Sequence, residues 1–378
     1  MTDFSSLLKN EERAVFALRS LYRSYGYLPY KMSKFEEYDL YVRNKDFLVS
    51  DSIITFNDTN GKLLALKPDV TLSIVKNSVD EPGCTQKLFY NENVYRVSGS
   101  THAYKEIMQT GLECIGDVDL YDISEVLSLA LQSLQKIGGD FVLDVSHLGV
   151  ISSVLAQAKQ DEEFEKKIMH CIGEKNRHEI KKICDEYGVA GDVCEKFVSF
   201  VGIYGKGESV IEKLRAMCSG NEMRTAVDEL EALYKIISSS PLKDKINFDF
   251  SIVNDMSYYN GVVFKGYIDG IPESVLSGGQ YAALMKKMGK KSKAIGFAVY
   301  LDLLEELTKE NSGYDVDMLV LYDENSDKAA LSKLVDNIIK SGKSVSVQKA
   351  VPKKLRYKET GNFISGADKS CENGGAKN

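Results

Sequence analysis

No Cys-x-x-Cys pair occurs in these 378 residues, although seven cysteines are present. An odd count at irregular spacing shows no disulfide framework and suggests reduced thiols in a cytoplasmic protein. Histidine is scarce as well. There are four, scattered, so no zinc site is expected. No apolar run reaches the roughly 18 residues of a membrane span, so none is expected. The chain starts polar and acidic, with no apolar run behind the first Met, so no signal peptide is expected. Excess positive charge is missing too: 48 Lys and Arg stand against 55 Asp and Glu, a formal net charge of -7. Bulk electrostatics therefore argue against a nucleic-acid partner.

What is present is the makeup of an ordinary globular protein. Apolar residues make up 43% of the chain, enough for a substantial core. The length allows two or three domains, or one large domain with a small one.

The most informative stretch is residues 87–116, KLFYNENVYRVSGSTHAYKEIMQTGLECIG. Leu88 to Val97 alternates as a strand does. A polar loop follows from Ser98 to Lys105, and a second alternating run goes from Glu106 to Ile115. Two strands around a polar loop make an antiparallel pair. Alternation puts Gln109, Gly111 and Glu113 on one side, and Met108, Leu112 and Cys114 on the other. The polar side is either a solvent-facing strand surface or the floor of a polar pocket. In the second case Glu113 accepts hydrogen bonds, Gln109 both donates and accepts, and Gly111 lets a ligand approach the backbone.

The sequence of Arg96, a loop, then Glu106, Gln109, Gly111, Glu113 and Gly116 resembles motif 2 of class II aminoacyl-tRNA synthetases, in its histidyl-tRNA synthetase form. Other segments extend the resemblance. Residues 10–25 have helical spacing at Val15, Leu18, Leu21 and Tyr22, with Asn10 as a candidate cap and Gly26 as a stop. With a strand into FEEYDLY they resemble motif 1, which in that family builds a homodimer interface. The family's Pro falls near Ser33. Asp58 to Gly61 marks a hairpin turn. Lys67, Pro68, Asp69, Val70 and Thr71 resemble the family's Arg-Pro-Glu-Gly-Thr turn, where the ammonium of the amino acid is bound. Asp69 or Thr71 also suits the N-cap of a helix through Val75, and the two roles are compatible.

Farther on, 117–137 reads as a helix and FVLDVSH, 141–147, as a central strand. Residues 149–240 are charged and helical by pattern, with structural or surface roles expected for His147, His170 and His178. INFDFSIV is a strand. Tyr258, Tyr259, Gly261, Val263 and Phe264 resemble the histidine-specific motif of the same family. Gly278, Gly279 and Tyr281 resemble its Gly-Gly-Arg-Tyr-Asp segment, here a Gly pair leading into a helix. KAIGFAVYLDLLEELTKE goes from strand to helix. From Tyr314 the pattern is β-α-β, and the last residues read as disordered.

The expected architecture is α+β, a class II synthetase-like antiparallel sheet flanked by helices. Residues 1–148 and 241–312 form the core, 149–240 a helical insertion, and 313–378 a partial α/β C-terminal segment.

Adenylation needs cations on the ATP phosphates and the transition state. Arg96 is kept. The motif 3 Arg position holds Leu303, the Gly that leaves room for adenine is Tyr300, and the Arg before the Tyr-Tyr pair is Asn254. Loop 98–102 lacks the family's ATP-gripping pattern. Removing one such donor costs roughly 10²–10³-fold. The amino-acid pocket fares better. By the resemblance, Glu113 and Tyr259 recognise an imidazole, while Asp69, Thr71 and Gln109 serve ammonium and carboxylate, with Arg96 and Tyr258 beside them. This combination resembles the regulatory subunit of ATP phosphoribosyltransferase, a synthetase paralogue without aminoacylation or a cofactor. That family joins a short-form catalytic subunit in a hetero-oligomer for the first step of histidine biosynthesis, with histidine feedback. The alternatives are a histidine–tRNA ligase and another synthetase-like amino-acid-dependent enzyme.

Overall fold

The structure is a computed structural model that describes residues 8–44, 53–97, 103–253, 258–304 and 314–364. The chain divides into two compact units, residues 1–307 and 308–378.

The larger unit is built on a nine-stranded sheet. Its strands run in the order Leu28–Pro29, Thr85–Val97, Tyr104–Gly116, Lys293–Tyr300, Leu276–Gln280, Val262–Ile268, Phe141–His147, Ile246–Asp249 and Tyr204–Gly205. Pairing is antiparallel except at Leu28–Pro29 against Thr85–Val97 and Phe141–His147 against Ile246–Asp249. The long hairpin pairs Leu88 with Glu113, and Tyr90 with Gly111. Glu113 then faces Gly296, and Gly111 faces Ala298.

Register gives the sheet two unlike faces. One carries Phe89, Leu112, Cys114, Phe297, Val299, Phe264 and Val145, all buried. Two helices cover it. Asn10–Ser24 lays Leu18, Leu21 and Tyr22 inward; the Tyr22 ring lies 6.1 Å from Phe89 and 6.0 Å from Phe297. Leu120–Ile137 is held at its start by Asp119, whose carboxylate accepts from the amides of Tyr121 and Asp122 at 2.8 and 3.2 Å. The hydroxyls of Tyr22 and Ser133 join the two helices at 3.0 Å. Leu134 packs so tightly on Gly266 that an added Cβ would lie 2.8 Å from it.

The opposite face carries Tyr90, Gln109, Gly111, Glu113, Gly296, Ala298, Tyr300, Ser277 and Lys265. Next to it lie a three-stranded antiparallel sheet, Phe35–Glu37, Leu63–Leu66 and Thr55–Asn57, and the helix Thr71–Asn77. Buried Val70, Leu72, Ile74 and Val75 pack there with Tyr90, Val94, Ile115 and Tyr281. Six helices, from Leu148–Ala158 to Gly220–Ile237, stand between strands Phe141–His147 and Ile246–Asp249. Among the described residues no helix is long and apolar enough to cross a membrane.

Among its described residues the smaller unit has three parallel strands, with Val316–Tyr322 between Val345–Gln348 and Tyr357–Phe363, and one helix, Lys328–Lys340. Val320, Leu331 and Ile338 form its core.

Several local expectations change. Lys9, not Asn10, holds the N-cap position of the first helix, while Gly26 ends it at φ +82°. FEEYDLY is a strand only through Glu37; Tyr38–Val42 is helical. The Gly278–Gly279 pair lies within the strand Leu276–Gln280, which leads into the helix Ala282–Lys287. A Cβ on Gly278 would lie 2.4 Å from the Gly296 carbonyl oxygen, and one on Gly279 2.8 Å from the Tyr259 ring, so bulk rather than turn geometry selects glycine. The strand Tyr357–Phe363 escapes the β-α-β pattern because its residues are mostly polar.

Candidate functional site

A cavity of about 430 Å³ opens on the polar face of the large sheet. That is within the usual range for small-ligand pockets. Every site residue expected from sequence lines it: Asp69, Thr71, Arg96, Gln109, Glu113, Tyr258 and Tyr259. The alternative of a solvent-facing strand does not hold, since Gln109 and Glu113 are only 4% and 2% exposed.

Glu113 is the centre of the arrangement. Thr71 Oγ1 donates to its Oε1 at 2.8 Å, and the Tyr281 hydroxyl donates to its Oε2 at 2.6 Å. Gly296 makes this position possible, because a Cβ there would lie 1.8 Å from Glu113 Oε2. Burial outweighs the two hydrogen bonds and pushes the Glu113 carboxyl up to about 8. The side chain is therefore largely neutral at pH 7. It can donate to a ligand acceptor, or ionise against a bound cation.

The 67–71 turn supplies the next groups. Asp69 Oδ1 accepts from the amide of Leu72 at 2.9 Å, so it supports the first turn of Thr71–Asn77 and also lines the cavity. Burial raises its pKa, against the pull of that amide and of Arg96. Arg96 Nε donates to the Pro68 carbonyl at 3.0 Å, tying the guanidinium to the turn. Buried Lys67 pairs with Glu92 outside the cavity wall.

Tyr90, Tyr258, Tyr259, Tyr281 and Tyr300 ring the site, and burial raises the pKa of each phenol, so all five are neutral donors and acceptors. Tyr258 and Tyr259 pack edge to face with centroids 4.5 Å apart. Tyr300 lines the cavity, whereas Leu303 packs against the apolar core. Asn254 and residues 98–102 lie outside the described residues.

The sequence expectation that Gly111 leaves room for a ligand at the backbone does not hold. A Cβ there would lie 2.5 Å from the Tyr90 hydroxyl, so Tyr90 occupies that space. Sequence reasoning also missed the site roles of Tyr90, Tyr281, Lys265, Ser274 and Ser277. Tyr281 was within reach, since it belongs to a quoted motif. The others depend on cross-strand register. Among the described residues no group of three His, Cys, Asp or Glu could hold a metal ion.

A family model described as histidyl-tRNA synthetase matches residues 6–304. The chain belongs to the histidyl-tRNA synthetase family. Within it, a curated relative from Oceanobacillus iheyensis is 26% identical over 353 residues, covering 92% of this chain and 86% of its own. That relative is named ATP phosphoribosyltransferase regulatory subunit. The fold matches a solved Bacillus halodurans chain titled ATP phosphoribosyltransferase regulatory subunit/histidyl-tRNA synthetase, with a TM-score of 0.74, 24% identity, and 97% and 96% of the two chains covered. It also matches a chain of the Thermotoga maritima ATP phosphoribosyl transferase complex, with a TM-score of 0.61, 19% identity, and 79% and 97% covered.

Proposed function

We propose that this chain is the non-catalytic regulatory subunit of an ATP phosphoribosyltransferase in the cytoplasm, and that its cavity senses histidine. Glu113 meets one imidazole nitrogen and Tyr259 the other. Asp69 takes the ammonium. Gln109 and Arg96 take the carboxylate, Thr71 orients Glu113, and Tyr258 closes the pocket on Tyr259. The observation that carries the reading is the pairing of this polar cavity with relatives of that name along most of the chain. Tyr300 in the wall and Leu303 in the core support a loss of ATP chemistry, since neither offers a cation.

A chain with an amino-acid pocket and no reaction of its own needs a partner to give the pocket a readout. The partner is the short-form catalytic subunit. The chain itself pairs as a homodimer through residues 10–41, where Phe16, Leu28 and Phe35 are exposed. Feedback then means that histidine and catalytic sites are coupled in free energy, and such coupling is reciprocal.

The test is reconstitution with the short catalytic subunit of the same organism. Activity should rise on mixing and fall on adding histidine. A catalytic subunit equally active and equally histidine-sensitive alone would rule the assignment out.

A further inference from the structure

The cavity has a second polar end that the histidine reading leaves unused. Lys265, Ser274 and Ser277 line it. Lys265 faces Ser277 across the strand pair, on the same sheet face as Glu113. The strands of Glu113 and Lys265 are three steps apart, so at ~4.8 Å per strand their backbones are about 14 Å apart.

Among the described residues no group pairs with Lys265. It is half-buried, and no side-chain hydrogen bond or ion pair engages Lys265, Ser274 or Ser277 among the described residues. Asp144 is its cross-strand neighbour on the other side, but that carboxylate accepts from Asn247 Nδ2 at 3.2 Å. Asp249, farther along, pairs with Lys175 at 3.3 Å. Burial lowers the Lys265 pKa, with no acid acting to raise it. An unpaired, partly desolvated ammonium beside two free hydroxyls is a costly arrangement unless an anion completes it.

The groups that suit an amino acid's ammonium and carboxylate lie at the other end. Asp69, Thr71, Arg96, Gln109 and Glu113 come from the 67–71 turn and the long hairpin. Lys265, Ser274 and Ser277 come from beyond the Lys293–Tyr300 strand. A compact point charge with rotatable hydroxyl donors matches a phosphate oxyanion.

We propose that Lys265, with Ser274 and Ser277, forms a phosphate-binding subsite, separate from the amino-acid end of the same cavity. The cavity accordingly accepts a free phosphate beside the amino acid, or a single ligand with a phosphoryl group at this end. This rests on the histidine reading only for the occupant of the Glu113 end.

The test uses the full chain and inorganic phosphate, titrated calorimetrically with and without histidine. Wild-type protein should bind phosphate saturably. Lys265→Met should lower that affinity at least about tenfold, and Lys265→Arg should retain most of it. Ser277→Ala, which removes no charge and little volume, should lower it several-fold. Histidine affinity should stay within about twofold in all three, and circular dichroism should confirm that each is folded. No saturable phosphate binding to wild type, or equal binding to Lys265→Met, would overturn the proposal. A parallel loss of histidine and phosphate affinity in Lys265→Met would also overturn it, by making Lys265 a partner of the amino-acid carboxylate. Phosphate binding that persists where histidine fails to bind would instead refute the histidine reading and leave this subsite standing.

Discussion

Glu113→Gln isolates the physical feature on which the site depends, a carboxyl kept neutral by burial. Glutamine has the shape of the protonated acid, and the hydroxyls of Thr71 and Tyr281 can each donate or accept. Below about pH 4.5, where both folded and unfolded wild type carry the neutral acid, the exchange should alter stability by no more than about 1 kcal/mol. The difference appears as pH rises. The carboxyl titrates at about 8 in the fold against an ordinary value of 4.5. Between these values the folded state binds a proton that the unfolded state has released. Stability from this group is therefore full below about 4.5 and is lost as pH rises towards 8. At about 1.4 kcal/mol per unit, the loss from pH 5.5 to 8 is about 3 kcal/mol, an upper figure because native-state relaxation reduces it. The glutamine variant lacks this slope and should become the more stable protein at pH 8. The chain has no tryptophan, so far-UV circular dichroism is the suitable signal for urea unfolding at pH 5.5, 7 and 8. A gap between variant and wild type that stays constant within about 0.5 kcal/mol over this window would refute the argument. It would mean that Glu113 ionises in the fold as an exposed acid does.

Two further outcomes follow from the same cavity. Glu113→Ala removes a buried hydrogen-bond partner worth roughly 1–3 kcal/mol, so calorimetric histidine affinity should fall about tenfold or more; unchanged affinity would place the sensing site elsewhere. Purified protein should show no histidine-dependent pyrophosphate exchange with ATP, and robust exchange at micromolar ATP would restore the ligase alternative.

The hairpin was legible because alternation survives in both of its strands, and the polar row Gln109, Gly111, Glu113 was visible as a row. Its burial was not. Alternation tells which residues share a side, not what covers that side, and here the cover includes Val70, Leu72 and Tyr281 from distant parts of the chain. Lys265 was hidden for a related reason. Its strand reads VVFKGYI, in which one lysine looks like a solvent-facing residue. Only the register through Ser277 and Ala298 to Gly111 places it on the floor that also holds Glu113. Gly296 shows the same limit. Inside KAIGFAVY it looks like a weak point in a strand, and its function, leaving room for a carboxylate two hydrogen bonds deep, exists only across the sheet.

The electrostatics of the cavity favour a small zwitterion over a triphosphate. Two acids and two cations line it. One acid, Glu113, is held neutral by burial, and one cation, Arg96, is tied through Nε to a backbone carbonyl. Five neutral phenols make up much of the remaining polar wall. Such a wall offers directed hydrogen bonds with little net charge, which suits an imidazole and an amino-acid backbone whose charges already cancel. A triphosphate would need several cations converging on one end, and among the described residues this cavity brings a single lysine there. The same wall can admit one phosphate at Lys265, and among the described residues Arg96 is the other cation that lines it. An amino-acid sensor on this fold and an isolated phosphate subsite are therefore compatible in one cavity.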